Sequence, residues 1–212
     1  MAKINSDKEL YFIHIPKNAG TAFCNQFCNQ TQIGHRPVTM FNDNIVNKSI
    51  AIIRNPYDRL VSIYEYNKTK ESYWHRHDGK NGKTKPPLME YCMTHTFSDF
   101  VKRLVSGGFN TLSHPNNLHI KSQYSYIKPK VGKVKTQLIH FENLNEELSK
   151  VLGKPVKLQM QNKSDRQNPH WEDYYKDNVN NSNNNNINLN TSLKDLVYQY
   201  YKYDFMIGGY LK

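Results

Sequence analysis

Three short apolar runs, each followed by a loop and then by residues at helical spacing, constrain this chain most. They are LYFIHI (10–15), SIAIIR (49–54) and TQLIHF (136–141). Each has the length and continuous hydrophobicity of a strand buried on both faces. After the first, Thr21 to Gln30 places Ala22, Phe23, Phe27 and Cys28 on one helical face. After the second, NPYD leads into RLVSIYEYNK, with Leu60, Val61, Ile63 and Tyr64 sharing a face. After the third, ENLNEELSKVLG aligns Leu144, Leu148, Val151 and Leu152. Strands alternating with helices predict an α/β fold with a mostly parallel sheet flanked by helices, and ligands in such sheets bind at the carboxyl ends of the strands.

The 212 residues suit one domain, 1–212, with two polar interruptions. The first, at about 68–87, carries Lys68, Lys70, Arg76, Lys80, Lys83 and Lys85 against Glu71 and Asp78, and reads as an exposed basic loop that could form a rim for an anionic acceptor. The second, at about 178–190, is asparagine-rich and cannot bury apolar surface. Between them TFSDFVKRLVSGG (96–108) reads as a helix with Ser98 as N-cap and Gly107-Gly108 as its stop, and SLKDLVYQYYKYDFM (192–206) as a final helix. The formal charge of +11 favours anionic partners: nucleotides, nucleic acid or acidic polysaccharide. Three cysteines, an odd number with Cys24 and Cys28 four apart on a helix, read as reduced thiols. No apolar run approaches the roughly 18 residues of a membrane span, so the expectation is no signal peptide, no membrane anchor and a cytoplasmic address.

The first strand runs into HIPKNAGT. A strand-to-helix loop aims backbone N–H groups and the positive end of a helix dipole at whatever lies above it, which suits a phosphate-like anion. Gly20 permits close approach, Lys17 adds a charge and Thr21 a hydroxyl. The order differs from a Walker A loop, where lysine follows the last glycine. A turn whose Pro16 and Gly20 are merely geometric is the alternative for this loop alone. The second loop, RNPYDRLVSIY (54–64), puts Arg54 at a strand end and Ser62 on the next helix, two donors suited to a terminal phosphate. Two anion sites imply a ligand with two separated anionic groups.

HIPKNAGTAF and RNPYDRLVSIY together resemble the two cofactor signatures of sulfotransferases that use 3′-phosphoadenosine 5′-phosphosulfate (PAPS), closest to the carbohydrate sulfotransferases of heparan and chondroitin type. QIGHRPVTMF, LHIKSQYSYI, LIHFENL and YDFMIGGY resemble further segments of that family, so the likeness covers most of the chain. It implies a P-loop nucleotide-kinase-like fold and PAPS as sulfuryl donor without a metal. By this resemblance the first loop (Lys17, Asn18, Ala19, Gly20, Thr21, Ala22) holds the 5′-phosphosulfate, and Arg54 and Ser62 hold the 3′-phosphate. Lys163 and Ser164, in QNKSDRQ, resemble a late loop that closes over the nucleotide. Asn18 stands where threonine is common and Asn55 where aspartate is common.

Sulfuryl transfer needs a stabilised leaving oxygen and a base for the acceptor hydroxyl. Lys17 suits the first role. For the second, the resemblance points to His35 in the GH segment, with His119 as the alternative; His14 reads as a structural residue beside the site, and His75 and His77 as loop residues rather than metal ligands. The implied partner is a hydroxyl-bearing acceptor, an anionic carbohydrate, and not a nucleic acid. Two competing functions are a P-loop-like nucleotide kinase, opposed by the lysine position and the lack of a Walker B partner, and a basic nucleic-acid-binding module, for which no motif stands.

Overall fold

The three apolar runs become the three parallel strands of a four-stranded sheet in the computed structural model, which describes residues 1–6, 9–28, 34–69, 86–110, 115–159, 166–176 and 191–212. In chain order the elements are β1 (Ala2–Lys3), β2 (Tyr11–Ile13), α1 (Gly20–Phe27), α2 (Asp43–Val46), β3 (Ser49–Ile53), α3 (Pro56–Lys68), α4 (Pro87–Thr94), α5 (Phe97–Val105), α6 (Tyr124–Ile127), β4 (Gln137–His140), α7 (Leu144–Leu152), α8 (Leu193–Tyr200) and α9 (Lys202–Gly208). Short 3₁₀ turns lie at Val38–Met40, Pro115–Ile120, Phe141–Asn143 and Trp171–Tyr175. The chain divides into two units: residues 1–55, 121–163 and 206–210 form the first, and 56–120, 164–205 and 211–212 the second.

In the first unit the strand order is β1-β2-β3-β4, with β2, β3 and β4 parallel and β1 antiparallel at the edge. Every residue of β3 is buried, so its side chains alternate between two cores. Ile50 and Ile52 join Phe12, Ile139 and the α1 and α7 residues Phe23, Phe27 and Leu148 on one face. Ala51 and Ile53 join Ile13, Ile15, Val38, Tyr126 and Ile127 on the other. Burying one such isoleucine is worth about 1.5–3 kcal/mol, and a one-residue slip would exchange the two sets. The carboxyl ends of β2 and β3 therefore lie at one edge in fixed register, Phe12 beside Ile50 and Ile13 beside Ala51.

The second unit is helical. α3 is buried around most of its circumference rather than along the single face its spacing suggests, and even Arg59, Glu65 and Asn67 are inaccessible. Those polar groups are satisfied internally: Arg59 donates to the His119 carbonyl (2.9 Å), Asn67 to the Ile63 carbonyl (2.8 Å), and Glu65 accepts from the Tyr174 hydroxyl (2.8 Å). The high aromatic content is used here. Tyr57 stacks on Trp171 (5.4 Å between centroids) and meets Tyr175 and Phe205 edge-on. α5 starts from Thr96 and not Ser98, because Thr96 accepts from the Asp99 amide while the Asp99 carboxylate returns a bond to the Thr96 amide. It stops as expected, with Gly107 at φ 79° two residues past its end. The predicted final helix is two, α8 and α9, meeting at Tyr201, whose buried hydroxyl donates to the Ile120 carbonyl (2.6 Å).

Candidate active site at the carboxyl edge of the sheet

The loop from His14 to Ala19 departs from ordinary backbone geometry. Lys17 (φ 69°) and Ala19 (φ 60°, ψ 14°) both occupy the left-handed region although neither is glycine. Each such residue costs about 1–2 kcal/mol, and conformations of this kind persist where the surroundings impose them. A left-handed residue followed by a helical one points successive N–H groups into a common concavity, which is an anion-binding arrangement. Ala19 is the N-cap of α1, no side chain caps that helix, and its first turn carries no acidic residue. The N–H groups of Gly20, Thr21 and Ala22 thus stand at the start of an eight-residue helix that no side chain caps and no acidic side chain offsets.

Asn18, between the two strained residues, is 1% exposed and points into the protein. Its amide nitrogen donates to the Ile52 carbonyl (2.8 Å) and to Gln123 Oε1 (2.6 Å). It is therefore an anchor for the loop rather than a ligand contact made by its side-chain nitrogen. Gln123, fully buried, also accepts from the Arg54 amide (2.9 Å) and donates to the Arg54 carbonyl (2.8 Å). One side chain thereby pairs with strand-end backbone as another strand would. The sequence gives no periodic or motif signal for that role.

Arg54 is 8% exposed and held on several sides. Its Nη1 donates to the Lys17 carbonyl (3.1 Å), and its guanidinium lies over the Phe141 ring at 4.2 Å. The next amide, Asn55, donates to Glu142 Oε1 (2.8 Å), whose Oε2 accepts from the Tyr210 hydroxyl (2.8 Å). Burial pushes the Tyr210 hydroxyl well above its ordinary range, and the Glu142 carboxylate adds to this while Arg54 opposes it. His140 secures the same C-terminal segment through Nε2 to the Gly208 carbonyl (3.1 Å), with Nδ1 beside Glu147 (3.1 Å). Phe141, Glu142 and Tyr210, like Gln123, carry no individual signal in the sequence, although the first three lie in the family-like segments LIHFENL and YDFMIGGY.

His35 and His14 meet beside the first loop. His35 Nδ1 is 3.2 Å from the His14 carbonyl, and the two rings are 4.4 Å apart. The His14 ring also fills the space above Gly20: a Cβ there would stand 2.0 Å from His14 Cδ2. Gly20 is needed for this close approach. Of the other expected site residues, Ser62 is a buried residue of α3 in the second unit, and His119 is a buried residue of the same unit whose ring neighbours Tyr66 at 5.7 Å. Lys163, Ser164, His75, His77, residues 70–85 of the basic loop and the asparagine-rich stretch lie outside the described residues. Lys68, at the start of that loop, pairs with Glu65 (3.7 Å). All three cysteines are buried free thiols. Among the described residues no helix is long and apolar enough to cross a membrane, and no group of three or more His, Cys, Asp or Glu could hold a metal ion.

A mostly parallel sheet that presents an uncapped helix N-terminus beside one clamped guanidinium at its carboxyl edge has the features that suit an anion in an α/β fold. The sulfotransferase family model matches residues 1–210, and the chain belongs to that family. Its members transfer sulfuryl groups, which makes this chain a transferase. No curated protein and no solved structure matches it.

Proposed function

We propose that the chain transfers the sulfuryl group of PAPS to a hydroxyl of an anionic carbohydrate. The observation that carries this reading is the pair of left-handed, non-glycine residues flanking buried Asn18, next to the uncapped start of α1. Backbone donors held in that way, with Lys17 and Arg54 on the same loop pair, fit a ligand bearing two separated anionic groups. When bound, PAPS supplies a sulfuryl group whose S–O bond breaks toward the 5′-phosphate. The amides of Gly20, Thr21 and Ala22 would hold the 5′-phosphosulfate, and Lys17 would neutralise the charge growing on the leaving oxygen. Arg54, and Ser62 by the family pattern, would hold the 3′-phosphate; Lys163 and Ser164 are assigned to the nucleotide side by pattern alone.

His35 is assigned as the base. Its Nδ1 lies near the His14 carbonyl, which only accepts; with the proton on Nδ1, Nε2 would be the nitrogen that takes the acceptor's proton. Overall, PAPS and an alcohol give 3′,5′-ADP, a sulfate ester and one proton. The carbohydrate acceptor rests on the resemblance and on the net charge of +11. The nucleotide-kinase-like connectivity of the whole fold rests on family membership.

Calorimetry with 3′,5′-ADP, 5′-AMP, ATP with magnesium, and an oligonucleotide tests the reading. Metal-independent binding of 3′,5′-ADP in preference to the others is expected, and Arg54→Ala should weaken it by about 1.5–3 kcal/mol while 5′-AMP binding changes little. Preference for ATP with magnesium, or equal losses for both adenosine ligands, would overturn the cofactor assignment.

A further inference from the structure

At the opposite edge of the same sheet, two segments of the first unit run into the amino ends of adjacent strands: residues 38–48 into β3 and 121–136 into β4. Ser49 Oγ ties them together, bonding the Val46 carbonyl (2.6 Å) and Thr136 Oγ1 (3.0 Å). Between them lies a surface cavity of about 250 Å³, lined by residues that include Phe41, Val46, Pro129 and Val131, with Asp43 and Lys130 at its polar side. Two apolar side chains stand out around it: Val131 is 88% exposed and Met40 62%. The stretch KSQYSYIKPKVGKVKT (121–136) has five lysines and no acid. Lys128, Lys130, Lys133 and Lys135 are exposed, and none of the four forms an ion pair among the described residues.

Exposed apolar tips set among lysines narrow the choice of partner. A protein partner is a poor match, because lysine is depleted from protein interfaces, where aromatics and arginine carry the energy. A sulfated or carboxylated glycan would use the lysines and leave Met40 and Val131 in water. An anionic bilayer uses both, since apolar tips enter the headgroup layer while lysines meet the negative surface potential. We propose that this face docks the chain on an anionic phospholipid surface. Met40 and Val131 enter the interface, Lys128, Lys130, Lys133 and Lys135 meet the headgroups, and Asp43 is the one carboxylate lining the cavity. Because the lysine segment leads into the amino end of β4, a docked chain keeps Lys17 and Arg54, at the carboxyl edge, away from the membrane.

Cosedimentation of the full chain with vesicles tests this. Binding is expected to phosphatidylcholine vesicles containing about 30 mol% phosphatidylserine, with release in about 0.5 M salt, and to be at least about tenfold weaker on phosphatidylcholine alone. The variant Lys128→Gln/Lys130→Gln/Lys133→Gln/Lys135→Gln should bind about a thousandfold more weakly. Met40→Ser/Val131→Ser, with charge unchanged, should bind about tenfold more weakly. All six side chains are exposed, so the thermal melt should not move, and the salt arm needs no variant at all. Equal binding to both vesicle types, or undiminished binding by the lysine variant, would overturn the proposal. So would loss in the lysine variant alone with Met40→Ser/Val131→Ser unaffected, which would reassign the face to a soluble polyanion.

Discussion

The loop after β2 and the loop after β3 leave adjacent parallel strands at the same edge, yet they are built in opposite ways. The first stores strain in its backbone, with two positive-φ residues around a buried asparagine, and leaves a helix end uncapped. The second is unstrained and saturated: Arg54 has its amide, carbonyl and guanidinium engaged by Gln123, Lys17 and Phe141. Under the proposed function, the difference separates two ways of preparing for an anion. One loop offers many weak backbone donors whose direction is paid for by strain. The other offers a single full charge whose direction is set by its neighbours, and Gln123, touching both Asn18 and Arg54, couples them.

The largest break in this comparison should come from removing the groups assigned to chemistry. Lys17→Ala and His35→Ala are each expected to lower turnover by about 10²–10⁴-fold, followed as 3′,5′-ADP release in the presence of hydroxyl acceptors. Binding of 3′,5′-ADP should survive in His35→Ala. Turnover preserved in either variant would strip that residue of its role.

Gln123→Ala should act on both loops together. It removes three buried hydrogen bonds, two of them to the Arg54 backbone, so a loss of about 3 kcal/mol in urea unfolding is expected, with weaker 3′,5′-ADP binding alongside. If stability fell without any change in binding, the coupling of the loops through this amide would be wrong. The smallest effect sharpens the contrast instead of breaking it. Ala19→Gly relieves a left-handed alanine at the cost of added chain entropy, for a net gain of about 0.5–1 kcal/mol. A loss of stability on the same substitution would show that this backbone holds no strain.

Local pattern carried the scaffold. The β2, β3 and β4 runs, the helices α1, α3, α5 and α7 and the glycine stop after α5 were all readable, because continuous apolar runs and 3.6-residue spacing reflect burial that these segments meet wherever they pack. Edge strand β1, with two residues, has no period to detect, and the choice of Thr96 over Ser98 as N-cap turned on a reciprocal bond that Asp99, three residues on, can return and that Val101 cannot. Lys17, Gly20 and Arg54 stand out as candidates because their residue types at strand-to-helix junctions suit an anion, whereas His35 is named by family resemblance alone.

Tertiary structure decided the rest. Nothing local says that Asn18 turns inward, that Gln123 stands in for a strand, or that Glu142 spans Asn55 and Tyr210 across 87 and 68 residues of sequence. Nor does spacing reveal that His14 owes its place to the missing Cβ of Gly20 and in turn holds His35 through its carbonyl. A buried polar side chain must find its partner somewhere, and the sequence records only the need. Which distant backbone group meets it is fixed when the sheet register closes and both faces of β3 are filled.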